Sequence, residues 1–515
     1  MVFHICWLIF FAILNFFIVR YISKYYRNFS LILCAIAAFV VILFLFRSFS
    51  AQLASITERN LQFIAIVIFA IQFFLFLWVA KITLIKPFND TASIWFSAAD
   101  VVETGKVSTT IDEYTGCSWS TNTSNHDYLL IYPNSQFLVA CLIPFCRFLF
   151  SVLGINLRSN VGYYCASVLN ICLILLSELF LFLASKKSRG NSCAFLSMIL
   201  CFFFFPYYLH AFKLYSDTMS MPLVSLAIYL MICGEKNQKP ISVLLCYLGV
   251  GLSIGIGILI KGSVVVLAVA CIIYLIVRQR SLKESAVQAA ALLVGIAAIY
   301  ALWAIYSANI SWLDKTNADK FELPVTHWIM MASTNDGGFS QEELDYTMQF
   351  DTLAAKKEAT KSVFTSRVKE YGLIGYLKFC LRKITTGMAD GLYFQKVHLS
   401  SLKNTPSYRF LNPKGRTWAV LSDYCIVFTQ LFYYAFLISG FLGIHKDNGI
   451  MFLFNICMFG IILFFTLWEF KSRYLLDYTP MFILNLSLVM DSLSERFVQQ
   501  RFSNRDRPRL HRFPR

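Results

Sequence analysis

Twelve stretches of this chain are apolar over about the length that crosses a bilayer, and that repetition leaves little choice of fold. They fall at about 2–19, 30–46, 61–84, 160–184, 192–210, 218–233, 241–257, 263–277, 285–307, 417–440, 449–466 and 474–491. A helix needs roughly 20 apolar residues to span the hydrocarbon. Lipid offers no partners for backbone N–H and C=O groups, so a spanning segment must be a helix or part of a closed barrel. A barrel would read as short alternating segments, and none dominate. Composition agrees: the 515 residues are 58% hydrophobic and 14% charged, against about 45–50% and 25% in a soluble domain. The expectation is an all-α polytopic membrane protein with about 12 transmembrane helices.

The formal charge of +16 does not point to nucleic acid, because no folded basic domain is present. The cations sit mostly in short loops between apolar runs and in the tail, a pattern that reads as topology control and contact with lipid headgroups. Most of the fifteen cysteines lie inside apolar runs, where they act as small hydrophobes. There is no CxxC pair and no Cys/His metal spacing. Cys117, in a polar loop, has no obvious partner. The first run lacks a basic leader and a small-residue cleavage site, so it reads as a retained span.

A thirteenth apolar run, 137–154, is interrupted by Pro144 and carries Arg147, as an in-plane or re-entrant helix would. Treating it as in-plane puts Lys186, Lys187, Arg189, the 235–239 and 278–283 loops, Lys446 and the basic tail on one side. The positive-inside rule then favours that model, with both termini cytoplasmic. The loop 20–27 goes against the rule. The domain plan is two extra N-terminal helices at 1–60 and a membrane core at 61–307, whose first outer loop is 86–133 and whose in-plane helix is 134–154. An amphipathic outer lid at 308–416, closing helices at 417–491 and a basic cytoplasmic tail at 492–515 complete it.

The polar loop 86–133 between two apolar regions is where chemistry is expected, since a carboxylate at the membrane edge is costly unless water or a polar ligand meets it. Asp90 follows a span directly and reads either as a helix cap or as a general base. Asp217, on the same predicted face, carries the same two readings. Lys261 lies in apolar surroundings, either snorkelling to the interface or neutralising a phosphate. Arg473 suits bidentate phosphate binding or an i,i+4 pair with Glu469. His327 and Trp328 could contact a sugar or anchor at the interface. Tyr132-Pro133 reads as the stiff entry to the in-plane helix. Asn122-Thr123-Ser124 fits a glycosylation sequon. No Walker loop, dinucleotide fingerprint, zinc signature or Ser-His-Asp order stands out.

These residues resemble the GT-C superfamily of membrane glycosyltransferases, nearest the bacterial branch similar to protein O-mannosyltransferases and the aminoarabinose transferase of lipid A. The resemblance rests on four patterns: Asp90 with Ala98 and Gly105 after an early span, 127–136 with its Tyr132-Pro133, Tyr215-Ser216-Asp217-Thr218, and Ser472-Arg473-Tyr474 with Pro480. Residues 324–331, with Lys383 and Asp390-Gly391, also look like envelope-polysaccharide members. The chain departs from the family in having Thr91 where a Glu often follows the first Asp, and in its two additional leading spans.

The resemblance implies inverting transfer of a sugar from a polyprenyl-phosphate donor to a glycan, lipid or protein acceptor on the outer face. Asp90 would be the base, and Asp217, Tyr132, Lys261, His327, Glu469 and Arg473 would bind substrate. It implies no cofactor and leaves a divalent metal open. An envelope polysaccharide polymerase or ligase of another fold is the alternative. A lipid-linked-sugar transporter is disfavoured because the middles of the spans are almost uniformly apolar and no repeated halves are evident.

Overall fold

The computed structural model describes residues 1–25, 28–116, 123–278, 281–445 and 449–505. Cys117, Asn122, Lys446 and the tail beyond 505 lie outside them, as do parts of the 20–27 and 278–283 loops. Among the described residues the fold is all-α, without a strand, and each of the twelve expected runs is helical. Among the described residues ten helices are long and apolar enough to cross a membrane. Nine of them answer to expected spans and the tenth is Asn134–Val152, so the run expected to lie in-plane has the length and composition of a span. It stays helical past Pro144 and ends in a π-helical turn, Phe148–Val152. The other three expected runs form the shorter apolar helices Asn191–Phe203 and Gly262–Arg278 and the start of Thr479–Arg505.

Burial separates core helices from lipid-facing ones. In Ser216–Lys236 and Arg416–Ile444 the apolar window is 72% buried, whereas in Glu58–Ile82 it is 22% and in Leu282–Ala308 only 17%. The exposed side of the last two is nonetheless mainly Phe, Ile, Leu and Val, with Trp78, Tyr300 and Tyr306, an apolar area of the size that faces lipid or a protein partner. The N-terminal helix Val2–Tyr25 packs along Arg416–His445: Trp7 is buried, donates to the Phe436 carbonyl at 3.3 Å and lies over Gly440.

Helices in lipid gain little from hydrophobic exclusion and associate through close packing and polar pairs. Both occur here. Pro240–Ile260 and Leu282–Ala308 touch backbone to backbone: a Cβ on Gly251 would overlap the Leu292 carbonyl oxygen, and one on Gly295 would sit 2.5 Å from that of Leu248. Buried polar side chains satisfy one another across helices, with Gln72 donating to Glu178 at 2.9 Å, Ser177 paired with Ser225 at 2.7 Å, and Ser185, Ser197 and Ser487 linked in a chain.

Residues 308–416 form short helices around one long one, Leu353–Met388, broken at Gly372 where φ is +60°. Arg367 clamps Glu343 within this segment at 3.1 Å. Lys383 ties it to the membrane helices. Its buried Nζ donates to the carbonyls of Ala332 (3.1 Å), Thr466 (2.9 Å) and Trp468 (3.2 Å), satisfying acceptors left open where helix Ile450–Leu467 ends. Phe470 N bonds Gly337 O at 3.0 Å, and Ser472 donates to Asp390 at 2.6 Å. The loop leading to Arg473 is thus fixed from above.

Candidate active site

Asp90 is the first residue of helix Asp90–Thr104. The cap position belongs to Asn89, whose φ of +51° and ψ of −140° are rare for a residue with a side chain and whose side chain makes no capping bond. Such backbone typically costs of order 1–3 kcal/mol and concentrates at functional sites. Relieved of capping, the Asp90 carboxylate meets the Arg473 guanidinium at 3.7 Å and the Tyr215 hydroxyl. Asp217 is no cap either. It sits in the one-turn helix Ser216–Met219, behind Tyr215 at the cap position. Its two carboxylate oxygens bind two cations, Lys261 Nζ at 2.8 Å and Arg473 Nη1 at 3.0 Å.

Lys261 does not snorkel. The chain turns extended at Lys261, after helix Pro240–Ile260 and before a short 3-10 turn, and the buried amine faces Asp217 and, at 3.4 Å, Asp477. The expected i,i+4 pair of Glu469 with Arg473 is absent, because the chain between them is not helical. Glu469 pairs instead with Lys471 at 3.0 Å. Arg473 lies between two rings, 4.9 Å from the Tyr215 centroid and 5.2 Å from that of Tyr474, with Asp217 and Asp90 on its edge. Acidic and aromatic neighbours hold its proton still more firmly than usual, against the effect of burial. Two cations and three carboxylates therefore interlock, in an apolar surround where each would be costly alone.

These groups border one cavity of about 600 Å³. Asp90, Tyr132, Lys261, Glu469 and Arg473 line it directly, and Asp217 supports it from behind through Lys261 and Arg473. Much of the rest of the wall is apolar, with Phe137, Ile258, Tyr300, Trp303 and Phe464. A row of rings also lines it: Tyr132 is 5.8 Å from Trp328, and Trp328 stacks at 6.3 Å on Trp468. Pro133 precedes helix Asn134–Arg147 at its cap position.

His327 does not line the cavity. It is buried away from the cavity with Nδ1 on the Thr347 hydroxyl at 2.7 Å, and burial holds its pKa down to about 4; its neighbour Trp328 faces the cavity instead. Asp100 and Glu103, in the same polar loop as Asp90, are occupied by Arg158.

Four participants went unnoticed in the sequence. Asp477, fully buried beside Lys261, was hidden by counting 474–491 as one apolar run, although its place four residues after Arg473 was a usable signal. Tyr215 was read only as context for Asp217. Lys213 and His398 form a buried pair, with Nζ to Nε2 at 2.8 Å. Lys213 also lies 6.0 Å from the Phe88 ring and 5.6 Å from that of Tyr215. Burial and the charge of Arg473 bring its pKa down to about 7. Nothing near Lys213 or His398 in sequence announces that pairing. Among the described residues no cluster of three or more His, Cys, Asp or Glu is placed to hold a metal ion.

Fold and site together define a multi-pass α-helical membrane protein with a charged cavity walled partly by apolar side chains. The chain belongs to the family described as conserved hypothetical integral membrane protein, whose model matches residues 149–494. No curated protein matches it. Among solved structures it is similar to the archaeal oligosaccharyltransferase AglB from Archaeoglobus fulgidus, in complex with an inhibitory peptide and a dolichol-phosphate, at 11% identity and a TM-score of 0.44. That match covers 87% of this chain and 52% of AglB, so the chain spans about half the length of that protein. It is also similar to ArnT from Cupriavidus metallidurans bound to undecaprenyl phosphate, at 11% identity and a TM-score of 0.35, over 81% of this chain and 77% of ArnT.

Proposed function

We propose that this protein is a membrane glycosyltransferase of the GT-C kind, moving a sugar from a polyprenyl-phosphate donor to a hydroxyl of a glycan, lipid or protein acceptor. The observation that carries the reading is the mixed lining of one cavity: Asp90, Lys261 and Arg473, from segments far apart in sequence, meet there, and most of the remaining wall is apolar and aromatic. A ligand that suits both kinds of lining has a charged head and a hydrocarbon chain. With helix Asn134–Val152 lying in-plane rather than crossing, the site faces the outer side of the membrane and both termini are cytoplasmic.

In the step, the acceptor hydroxyl oxygen attacks the anomeric carbon opposite the phosphate, which inverts that centre. Its proton passes to Asp90 as the new C–O bond forms. The bond from the anomeric carbon to the phosphate oxygen breaks, and its electron pair leaves with the phosphate. A phosphate monoester is an adequate leaving group without a general acid, but it gains negative charge as it departs. Arg473 and Lys261, already oriented by Asp217, stand where they stabilise that charge without reorganising. Tyr132, Trp328 and Trp468 offer ring faces to a sugar, and the Glu469 carboxylate accepts a hydrogen bond from a sugar hydroxyl.

Incubating membranes that contain the chain with labelled polyprenyl-phosphate sugars tests the proposal. Label should pass to an envelope glycan, lipid or protein. Asp90→Asn should lower that transfer by roughly 10²–10⁴-fold, the usual worth of a positioned base, while membrane insertion and binding of undecaprenyl phosphate persist. Full transfer by Asp90→Asn would remove Asp90 as the base and favour a polymerase or ligase of different design.

A further inference from the structure

The cavity around Asp90 is not the most spacious among the described residues. A groove of about 900 Å³ lies between the end of helix Glu58–Ile82, the turn around Phe205–His210 and the start of helix Arg416–His445. Its wall is almost wholly apolar, and Trp78, Phe203 and Val420 are each more than half exposed there. Hydrocarbon against such a surface would be unremarkable in a membrane protein. The head of the groove is what carries information.

Between Asp390 and Asp423 the sequence has no acidic residue and five cations, Lys396, Lys403, Arg409, Lys414 and Arg416. Lys403, Arg409, Lys414 and Arg416 are exposed, and Arg416 lines the groove. The segment is fastened where the groove begins, with Ser407 N on Ile82 O at 3.1 Å. Arg409 lies 4.5 Å over the ring of Phe410, itself a wall residue. Basic clusters beside a membrane helix bind anionic headgroups.

A second observation comes from Gln395. It lines the groove, is 2% exposed, and its amide Nε2 has no hydrogen-bond partner. A buried donor without a partner is costly, and a ligand that brings an acceptor into the groove removes that cost. We infer that the groove is a binding site for an anionic glycerophospholipid. Its phosphate lies among Arg409, Lys414 and Arg416, its ester carbonyl takes the Gln395 amide, and its chains lie along Trp78 and Phe203. A polyprenyl phosphate has no acceptor beyond its head, which is why the ester lipid is the occupant named. The lipid would brace the segment that carries His398 against Lys213.

The inference does not depend on glycosyl transfer, and one set of measurements separates the two. Thermal unfolding of the full chain in detergent is followed with phosphatidylglycerol, phosphatidylcholine or undecaprenyl phosphate added. Saturating phosphatidylglycerol should raise the midpoint by about 3 °C or more, and phosphatidylcholine by about 1 °C or less. The triple variant Arg409→Gln, Lys414→Gln, Arg416→Gln should lose the phosphatidylglycerol shift and keep the shift from undecaprenyl phosphate, whose site is the Asp90 cavity. Val420→Trp, which fills the groove from its exposed side, should lose the same shift with the cations intact. Equal shifts from both phospholipids, or a full phosphatidylglycerol shift in either variant, would overturn the inference. So would loss of the undecaprenyl phosphate shift in the triple variant, which would give the groove to that lipid.

Discussion

Replacing Asp217 by asparagine removes the one anion that touches both site cations. Its oxygens lie 2.8 Å from Lys261 and 3.0 Å from Arg473. At an effective dielectric constant of 20 each contact is about 5–6 kcal/mol of Coulomb attraction, most of it offset by the desolvation of three buried charges. The quantity that survives is the cost of deleting one partner from a buried pair, about 3–5 kcal/mol. The lower end applies here, because Lys261 keeps Asp477 at 3.4 Å and Arg473 keeps Asp90 at 3.7 Å. Across a chain of 515 residues that loss should lower the unfolding midpoint of the purified variant by about 3 °C. Removing the cation as well should restore part of the loss: Lys261→Met with Asp217→Asn should be less destabilised than the sum of the single changes, by about 1–3 kcal/mol of coupling.

The same variant separates a structural ion cluster from a phosphate site. If Asp217 only holds cations that serve a ligand, removing it leaves them less neutralised. Undecaprenyl phosphate should then bind more tightly, roughly tenfold for one strengthened charge-assisted contact, although the fold is weaker. Stability and affinity would move in opposite directions. Unchanged affinity together with lowered stability would reduce the cluster to a structural clamp, and unchanged stability would refute the buried-pair reasoning itself.

Three further expectations follow from single sites. Arg473→Ala should weaken undecaprenyl phosphate binding and lower stability together, and unaltered affinity in a ligand titration would take Arg473 out of the site. Lys213 titrates near 7 in the fold against about 10.4 in an unfolded chain. The unfolded state thus holds the extra proton between those values, and stability rises with pH across that interval. Lys213→Met should flatten this part of a stability curve measured from pH 7 to pH 9, and an unchanged slope would show that the lysine is not buried as described. Gly251→Leu puts a side chain into the Leu292 carbonyl and should part the two helices, lowering the unfolding midpoint by several degrees, whereas the same change at Gly105, where the added Cβ meets nothing, acts only through its left-handed φ.

The membrane class and the helix positions were legible because a 20-residue apolar run has few structural outcomes. Asp90, Asp217, Lys261 and Arg473 stood out because each is a charge at the edge of such a run. What each one does was less legible. Capping, snorkelling and i,i+4 pairing are local rules, and at Asp90, Asp217, Lys261 and Arg473 they gave way to contacts between residues more than 40 apart in sequence. Lys213 and His398 are separated by 185 residues, and no periodicity encodes that distance. Likewise, whether His327 or its neighbour Trp328 faces the cavity depends on how a short helix rotates, a turn of about 100° per residue, and here it is Trp328 that lines it.

Each charged residue of the site lies where a helix is interrupted. Asp90 follows the left-handed Asn89, Asp217 occupies a single turn ahead of Pro222, Lys261 is the extended residue between two helices, and Arg473 and Asp477 ride a 3-10 segment before Pro480. An unbroken helix would have turned its side chains outward in sequence, some toward lipid, and left no room for four segments to converge. The breaks shorten the helices on one side of the bundle and open the volume into which the charges project. They also leave backbone groups unpaired, which polar side chains and the Lys383 clamp on the 466–468 carbonyls then satisfy. The prolines at 222 and 480, each at the start of the helix that follows a break, are in this sense part of the site.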